Sequence, residues 1–308
     1  MSNNEVNIGD LLSLVYKEKL WILFFLFFFL ISSALYSSSL PNIYKSSVLM
    51  IGVDENQSNI KNASSSYAGL ASLAGVSLPQ ESDNISIAIG ILKSRNFVTN
   101  FINRKDILIN LIAVEGWDLE SNKLIIDESV FDVQSNQWVR NVSLPRLSKP
   151  SDQEAYKHWI EKTFSIEQDD KSRFVVLNIA HYSPYVAQEW ASWLVEDINN
   201  YMRNTDIAEA ETSIKYLNGV VLETESAELK SLLYKIIESK VQKIMLAKSR
   251  QEYIFKIIDP AIAPEDKISP KRFLITIMGG LFGLILGILY VIIRWNTTMN
   301  SSTVKSSN

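Results

Sequence analysis

Two long apolar runs bracket the chain, and between them the apolar positions switch repeatedly from a period near two to a period near three and a half. The first run, "LWILFFLFFFLISSALYSSSL", extends from Leu20 to Leu40, and the second, "FLITIMGGLFGLILGILYVII", from Phe273 to Ile293 without a charge. As helices, each covers roughly 30 Å, the hydrocarbon thickness of a bilayer. The β-branched stretch Ile43–Val53 predicts a strand. Residues 54–83 are rich in Ser, Asn, Gly and Ala, which predicts a loop. From Asn84 to Arg104 the apolar residues Ile85, Ala88, Ile89, Leu92, Phe97 and Phe101 predict one helical face. "KPSDQEAYKHWIEKTFSI" offers Ser151 and Glu154 as a capping box for a helix carrying Trp159 on its apolar side. Arg173–Tyr182 reads as a strand, and Ser183-Pro184 as the cap and first position of the next helix.

The longest helical pattern follows. Ile207, Ala210, Ile214, Leu217 and Val221 recur three and four apart, and the rhythm resumes at Leu229, Leu232, Leu233, Ile236 and Ile237. The intervening "ETESAE" is either a polar patch on one helix of some forty residues, about 60 Å long, or a bend between two. "QEYIFKIIDPAIAP" then returns as a strand ending at Pro260. The fold class expected is an α+β membrane protein. Two transmembrane helices flank a periplasmic α/β base domain with a long projecting helical arm at about 205–249.

The expected domain boundaries are a cytoplasmic N-terminal segment, 1–19; transmembrane helix 1, 20–40; a periplasmic domain, 41–272, ending in a proline-rich segment, 260–272; transmembrane helix 2, 273–293; and a cytoplasmic tail, 294–308. Lys17 and Lys19 precede the first span, and only Lys45 follows it closely. The positive-inside rule therefore places both termini in the cytoplasm and the large domain outside it, which for a bacterial inner-membrane protein is the periplasm. The length of the apolar core favours an uncleaved anchor over a signal peptide.

Composition mainly removes functions. With no cysteine among 308 residues, thiolate catalysis, Cys-rich zinc sites and iron–sulfur ligation are excluded. His158 and His181 fall on different elements and read as structural or solvated. The chain contains no HExxH, GxSxG or GxxxxGK[ST]. The acidic pairs Asp127-Glu128 and Asp169-Asp170 lie in polar stretches that read as hydrated turns. No catalytic residue, cofactor or metal site is expected, so the protein reads as a non-enzyme. Setting aside the charges outside 41–272, 26 basic and 31 acidic residues remain, a balance that argues against nucleic acid as a partner.

Two motifs remain as interaction sites. Pro260, Pro264 and Pro270 each fix φ and remove a donor, which predicts an extended, stiff segment holding the outer domain over its anchor. Lys271 and Arg272 follow at headgroup level, where they can reach membrane lipids. Gly279, Gly283 and Gly287 are four apart and share a face, the spacing that lets transmembrane helices approach closely.

The segment "DPAIAPEDKISPKRFLITIMGGLFGLILG" resembles the proline-rich motif and glycine-bearing second membrane helix of the polysaccharide chain length determinant family, the Wzz-type polysaccharide co-polymerases. "VNIGDLLSLVYKEKLWIL" is similar to that family's opening segment. "YKSSVLMI", "AIGILKSRNFVTNFI" and the stretch from "KPSDQEAYKHW" through "HYSPYVAQEWASWLVEDIN" are similar to its periplasmic base. The resemblance implies a non-enzymatic homo-oligomer that regulates lipopolysaccharide O-antigen chain length. Its implied partners are the membrane O-antigen polymerase and undecaprenyl-diphosphate-linked polysaccharide. The alternative it leaves is a co-polymerase or adaptor for capsule or exopolysaccharide export working with a cytoplasmic tyrosine kinase. That reading needs a fused kinase or an interacting tail, and "RWNTTMNSSTVKSSN" carries no Walker motif and no tyrosine cluster.

Overall fold

A computed structural model of the chain describes residues 17–53, 81–169 and 173–305, with the side chains of 81–83 and 296–305 left aside. Most of the serine-rich stretch expected to be a loop, residues 54–80, lies outside the described residues. The chain divides into two compact units. One contains both long apolar helices, and the other runs from Ile43 to Asp266.

The second unit is built on an antiparallel sheet. Strand β1 (Ile43–Gly52) lies between β7 (Phe174–His181) and β8 (Phe255–Asp259), and β6 (Phe164–Gln168) pairs with the other edge of β7. Alternation fixes the register. Ser46, Val48 and Met50 of β1 point inward and oppose Ile179, Leu177 and Val175 of β7, all buried. A slip of one residue would turn this apolar set to solvent. Gly52 closes the inward row, and a Cβ there would lie 2.1 Å from Cδ1 of Ile85. That absence of a side chain makes room for the helix that follows.

The stretch 84–104 is two helices, α2 (Glu81–Lys93) and α3 (Arg95–Arg104), where the sequence predicts one. Ser94 takes an extended conformation, and its Oγ accepts a hydrogen bond from the Phe97 N–H at 3.3 Å. A serine that can cap competes with helix continuation, and apolar periodicity does not register that competition. The short helix α4 (Leu108–Ile112) leads into two hairpins, β2 (Val114–Asp118) with β3 (Lys123–Ile126), and β4 (Phe131–Asp132) with β5 (Gln137–Trp138).

Helix α5 (Asp152–His158) opens with the capping box predicted for Ser151 and Glu154. Glu154 also receives Arg140 and Arg146, which tie the preceding polar stretch to the helix. The helix is shorter than expected. A π-turn, Trp159–Thr163, ends it, and Phe164 begins β6. The turn places Trp159 in the core, its ring 5.3 Å from Phe101, 5.8 Å from Trp190 and 6.2 Å from Phe164.

Helix α6 (Pro184–Glu223) starts at the predicted Ser183 cap and runs for 40 residues, about 60 Å. A helix of the anticipated length is therefore present, but it begins twenty residues earlier than the 205–249 arm. Its first half buries Ala187, Trp190, Ala191, Leu194, Val195, Ile198 and Met202 in the core shared with the sheet. The chain breaks at "ETESAE", and α7 (Ala227–Ser249) begins at the Ser226 cap. Of the two alternatives the sequence leaves open, the bend is the one observed. Lys243 Nζ meets Asp206 Oδ1 at 3.1 Å, so α7 returns antiparallel along α6 as a hairpin.

The returning chain is received by Asn199, which is buried on α6. Its Oδ1 accepts from the backbone N–H groups of Tyr253, Ile254 and Phe255 at 3.2, 2.8 and 3.0 Å, and its Nδ2 donates to the Phe255 carbonyl at 3.1 Å. Both histidines fall within this unit. His181 Nδ1 accepts from the Ser183 N–H at 3.0 Å and its Nε2 lies 3.0 Å from the Asn110 carbonyl, which defines a neutral Nε2–H tautomer. Burial pushes its pKa down to about 4 from the usual 6.5. The unfolded chain therefore binds the extra proton first as pH falls. His181 costs no stability above about pH 6.5, and its penalty grows down to about pH 4, reaching about 3 kcal/mol. Thermal unfolding of detergent-solubilised protein, compared with His181→Gln, should show the wild type losing more stability between pH 7.5 and pH 5; parallel losses in the two proteins would contradict this assignment.

Candidate functional site: a glycine-faced membrane helix pair

The other unit is organised by α1 (Lys19–Ser39) and α8 (Arg272–Lys305). Their outward residues include Phe24, Phe27, Phe28, Ile31, Leu274, Ile277, Met278, Leu281 and Ile285, all exposed. A surface this apolar on both helices requires lipid around it.

The three glycines meet α1. A Cβ on Gly279 would lie 2.4 Å from Ser33 Cβ. One on Gly283 would lie 2.6 Å from the Phe25 carbonyl oxygen and 2.9 Å from Phe29 Cβ, and one on Gly287 would lie 3.0 Å from Ile22 Cα. Backbone faces backbone along this seam, so no side chain at Gly283 fits without separating the helices. Close approach is what holds membrane helices together where no hydrophobic effect operates between them. Ser33 adds a polar tie, its Oγ donating to the Ile275 carbonyl at 2.8 Å. Aromatic rings flank the seam, with Trp21 and Phe25 against Tyr290 at 5.3 and 5.4 Å and Phe29 against Phe282 at 5.5 Å.

Charges close both ends of the pair. Arg294 reaches Glu18 at 3.4 Å and sits over the Trp21 ring. At the opposite end, Arg272 Nη2 donates to the Asn42 side chain at 3.2 Å and to the Leu40 carbonyl at 3.4 Å, and Lys267 Nζ donates to Asn42 Oδ1 at 3.0 Å. Arg272 thus binds the end of α1, while Lys271 is exposed. The sequence identifies Arg272 but not its partner Asn42, because nothing local links positions so far apart.

The structure separates the prolines. The boundary between the two units falls between Asp266 and Lys267, so Pro260 and Pro264 belong to the sheet-bearing unit and Pro270 to the membrane unit. Pro260 directly follows β8. Beyond it the chain is held by Gln188 Nε2, which donates to the Ala261 carbonyl at 3.0 Å, and by Ser46 Oγ, which donates to the Ile262 carbonyl at 2.7 Å. The segment runs without helix and contains one short strand, β9 (Lys267–Ser269). Among the described residues, no group of three or more His, Asp or Glu side chains is placed to hold a metal ion.

Residues 4–104 match the family model described as chain length determinant protein (Wzz), and residues 220–296 match the GNVR model, described as "G-rich domain on putative tyrosine kinase". The base stretch from Lys149 to Asn199 lies between the two matches. No curated protein matches the chain. Solved structures similar to it include two polysaccharide co-polymerases. A full-length bacterial polysaccharide co-polymerase has 14% identity over 94% of this chain and 98% of that chain, with a TM-score of 0.41. A fragment of WzzB, a polysaccharide co-polymerase from Salmonella Typhimurium, has 14% identity over 74% of this chain and 100% of that chain, with a TM-score of 0.31. One family model covers the first membrane helix, β1 and the paired helices α2 and α3, and the other covers the helical return and the glycine-bearing second membrane helix; residues 4–104 carry the chain length determinant domain of the Wzz-type polysaccharide co-polymerases.

Proposed function

We propose that the protein regulates the chain length of lipopolysaccharide O-antigen without catalysing a reaction itself. It acts as a homo-oligomeric periplasmic scaffold beside the membrane O-antigen polymerase, while undecaprenyl-diphosphate-linked polysaccharide is extended. The observation that carries this reading is the chain length determinant match over the first membrane helix and the start of the base, residues 4–104. Support for self-association comes from the α6–α7 hairpin, which leaves Tyr216, Leu222, Leu232, Tyr234, Ile236 and Met245 exposed. Support for cytoplasmic termini comes from Lys17 and Lys19 before the first span. In this reading the glycine seam fixes the two anchors as one piece, and the segment from Pro260 to Pro270 sets the domain's position over the bilayer. Lys271 meets lipid headgroups, and the domain limits are those expected from the sequence, 41–272 between spans 20–40 and 273–293.

A second reading is favoured by one specific observation. The GNVR match over 220–296 belongs to a model described on tyrosine kinases, so the same architecture also suits an adaptor for capsule or exopolysaccharide export that works with a cytoplasmic kinase.

Gel analysis of lipopolysaccharide from a deletion strain and its complemented parent separates the two. Chain length regulation predicts that deletion turns a clustered ladder into a distribution decaying from short chains. An unchanged ladder with loss of capsule or exopolysaccharide transfers the function to the adaptor. Within the first reading, Pro270→Ala and Gly283→Leu should each shift the distribution while polymer is still made, and complete loss of polymer in either strain would count against it.

The seam has its own test, made simple by a chain without cysteine. The Gly287 Cβ position lies 3.4 Å from Phe25 Cβ, close to disulfide geometry. Phe25→Cys with Gly287→Cys should cross-link within one chain under mild oxidant. Adding Gly283→Leu should reduce that cross-link at least several-fold; undiminished cross-linking would show that the seam tolerates the side chain.

A further inference from the structure

A groove of about 840 Å³ opens along α3 and the middle of α6, among Phe97, Asn100, Arg104, Asp197, Tyr201 and Asn204. Its volume lies within the ~300–1,000 Å³ of small-ligand sites. Helical spacing assembles the lining. Asn100 and Asn103 are three apart on α3, and Asn200 and Asn204 four apart on α6, so each pair shares a face. Asparagine is a poor choice inside a helix because its amide competes for the backbone. Lysine, glutamate or glutamine would solvate the same surface and favour the helix, so helix stability does not account for four amides lining one groove.

The amides are only partly used. Asn100 Nδ2 donates to Asn96 at 3.2 Å, Asn103 Nδ2 donates to Asp152 at 3.4 Å, and Asn200 Oδ1 accepts from Arg203 at 2.9 Å. Each amide carries two donors and an acceptor oxygen with two lone pairs, so most of this capacity remains open to the groove. Tyr201 forms a wall. It is 42% exposed, and its ring stands edge-to-face against buried Phe97 at 5.7 Å, which keeps it from collapsing inward. Arg104 is bonded to Asp197 at 2.5 Å, so the one cation lining the groove is matched by the one carboxylate.

This chemistry selects among ligands. An apolar molecule would strip water from the amides and leave them unpaired. A phosphate would find one guanidinium, already paired. A sugar ring answers both features, since each hydroxyl donates and accepts as an amide does, and its C–H face packs on an aromatic ring. We propose that the groove between α3 and α6 binds a short segment of neutral, hydroxyl-rich glycan, held by Asn100, Asn103, Asn200 and Asn204 and packed on Tyr201. The proposal rests on the polysaccharide reading above and adds where on the chain the polymer is held.

The test is equilibrium dialysis of the full-length protein in a zwitterionic, sugar-free detergent against two probes: O-polysaccharide released from the host's lipopolysaccharide by mild acid, and its purified capsule or exopolysaccharide. Saturable binding of either is expected. Asn204→Ala and Tyr201→Ala should each weaken it at least five-fold, and Tyr201→Phe should retain it, with the same subunit number by light scattering throughout. No saturable binding by the wild type, or undiminished binding by both alanine variants, would overturn the proposal. So would an altered subunit number with binding intact, which would make the groove an interface between copies. If gene deletion alters the lipopolysaccharide ladder but neither probe binds, the groove is refuted and chain length regulation stands. If a probe binds through the groove residues while deletion leaves the ladder unchanged, the groove is upheld and the O-antigen reading falls.

Discussion

The sheet-bearing unit depends on a single buried amide. Asn199 gathers three consecutive backbone N–H groups and one carbonyl from residues 253–255, where the chain comes back from the hairpin and enters β8. Phe255 is fully buried there, so without Asn199 its N–H would have no solvent to turn to. Each buried donor left unmade costs about 1–3 kcal/mol. The clamp therefore fixes the start of β8, the strand that covers one edge of β1, and it also fixes the end of α7. Tyr253 adds a second tie close by, donating from its hydroxyl to Asp206, the carboxylate that also holds Lys243. One short stretch of α6 thus sets both the sheet edge and the hairpin register.

The membrane unit solves the same problem of joining distant segments by the opposite means. In the sheet-bearing unit, apolar burial and satisfied polar groups supply the attraction. In lipid neither helix gains from hiding its leucines, and contact distance becomes the currency. Gly279, Gly283 and Gly287 remove side chains so that the backbones of α1 and α8 touch, and Ser33 spends its hydroxyl on the Ile275 carbonyl. Bulky residues stay on the outside, where they face acyl chains. The polar ties move to the two ends, Glu18 with Arg294 and Asn42 with Arg272 and Lys267, where water and headgroups lower the cost of charge.

Local chemistry was legible and long-range chemistry was not. The Ser151 capping box, the Ser183-Pro184 helix start, the strand ending at Pro260 and both membrane helices follow from residues within a turn or two of each other. The π-turn at Trp159 and the conversion of "FSI" into β6 depend on what the sheet needs to bury, and the Ser94 break on a capping serine, neither of which periodicity carries. The arm expected from about 205 is instead continuous with the helix that starts at Pro184, because "MRNTDI" contains no breaker and nothing stops the helix before "ETESAE". Two hairpin turns carry a signal of their own in the sequence. "DLESN" and "DVQSN" share an Asp three residues before a Ser and an Asn that adopts a positive φ, and in both the Asp accepts from the Ser hydroxyl and the backbone. At the candidate site, glycine spacing identified the seam but not α1 as its partner. The groove amides escaped notice because they come from two helices about a hundred residues apart in sequence; their trace was asparagine recurring at helical spacing.

The hairpin beyond the core makes a different demand. Past Met202 the buried apolar residues of α6 and α7 are Ala210, Val221, Leu233 and Ala247, two of them alanines. Two helices in contact can hide only one stripe each, and both have apolar residues outside that stripe, with Leu222 84% exposed. Helical propensity alone does not hold such segments, since most helical stability in proteins comes from packing an apolar face. The residues that could supply it are already present along both helices, at Tyr216, Leu222, Leu232, Tyr234, Ile236 and Met245. The same arrangement explains why the groove lies lower on α6, in the half rigidified by the core. There the backbone is held by the sheet on one side and by α3 on another, so its amides can keep fixed positions.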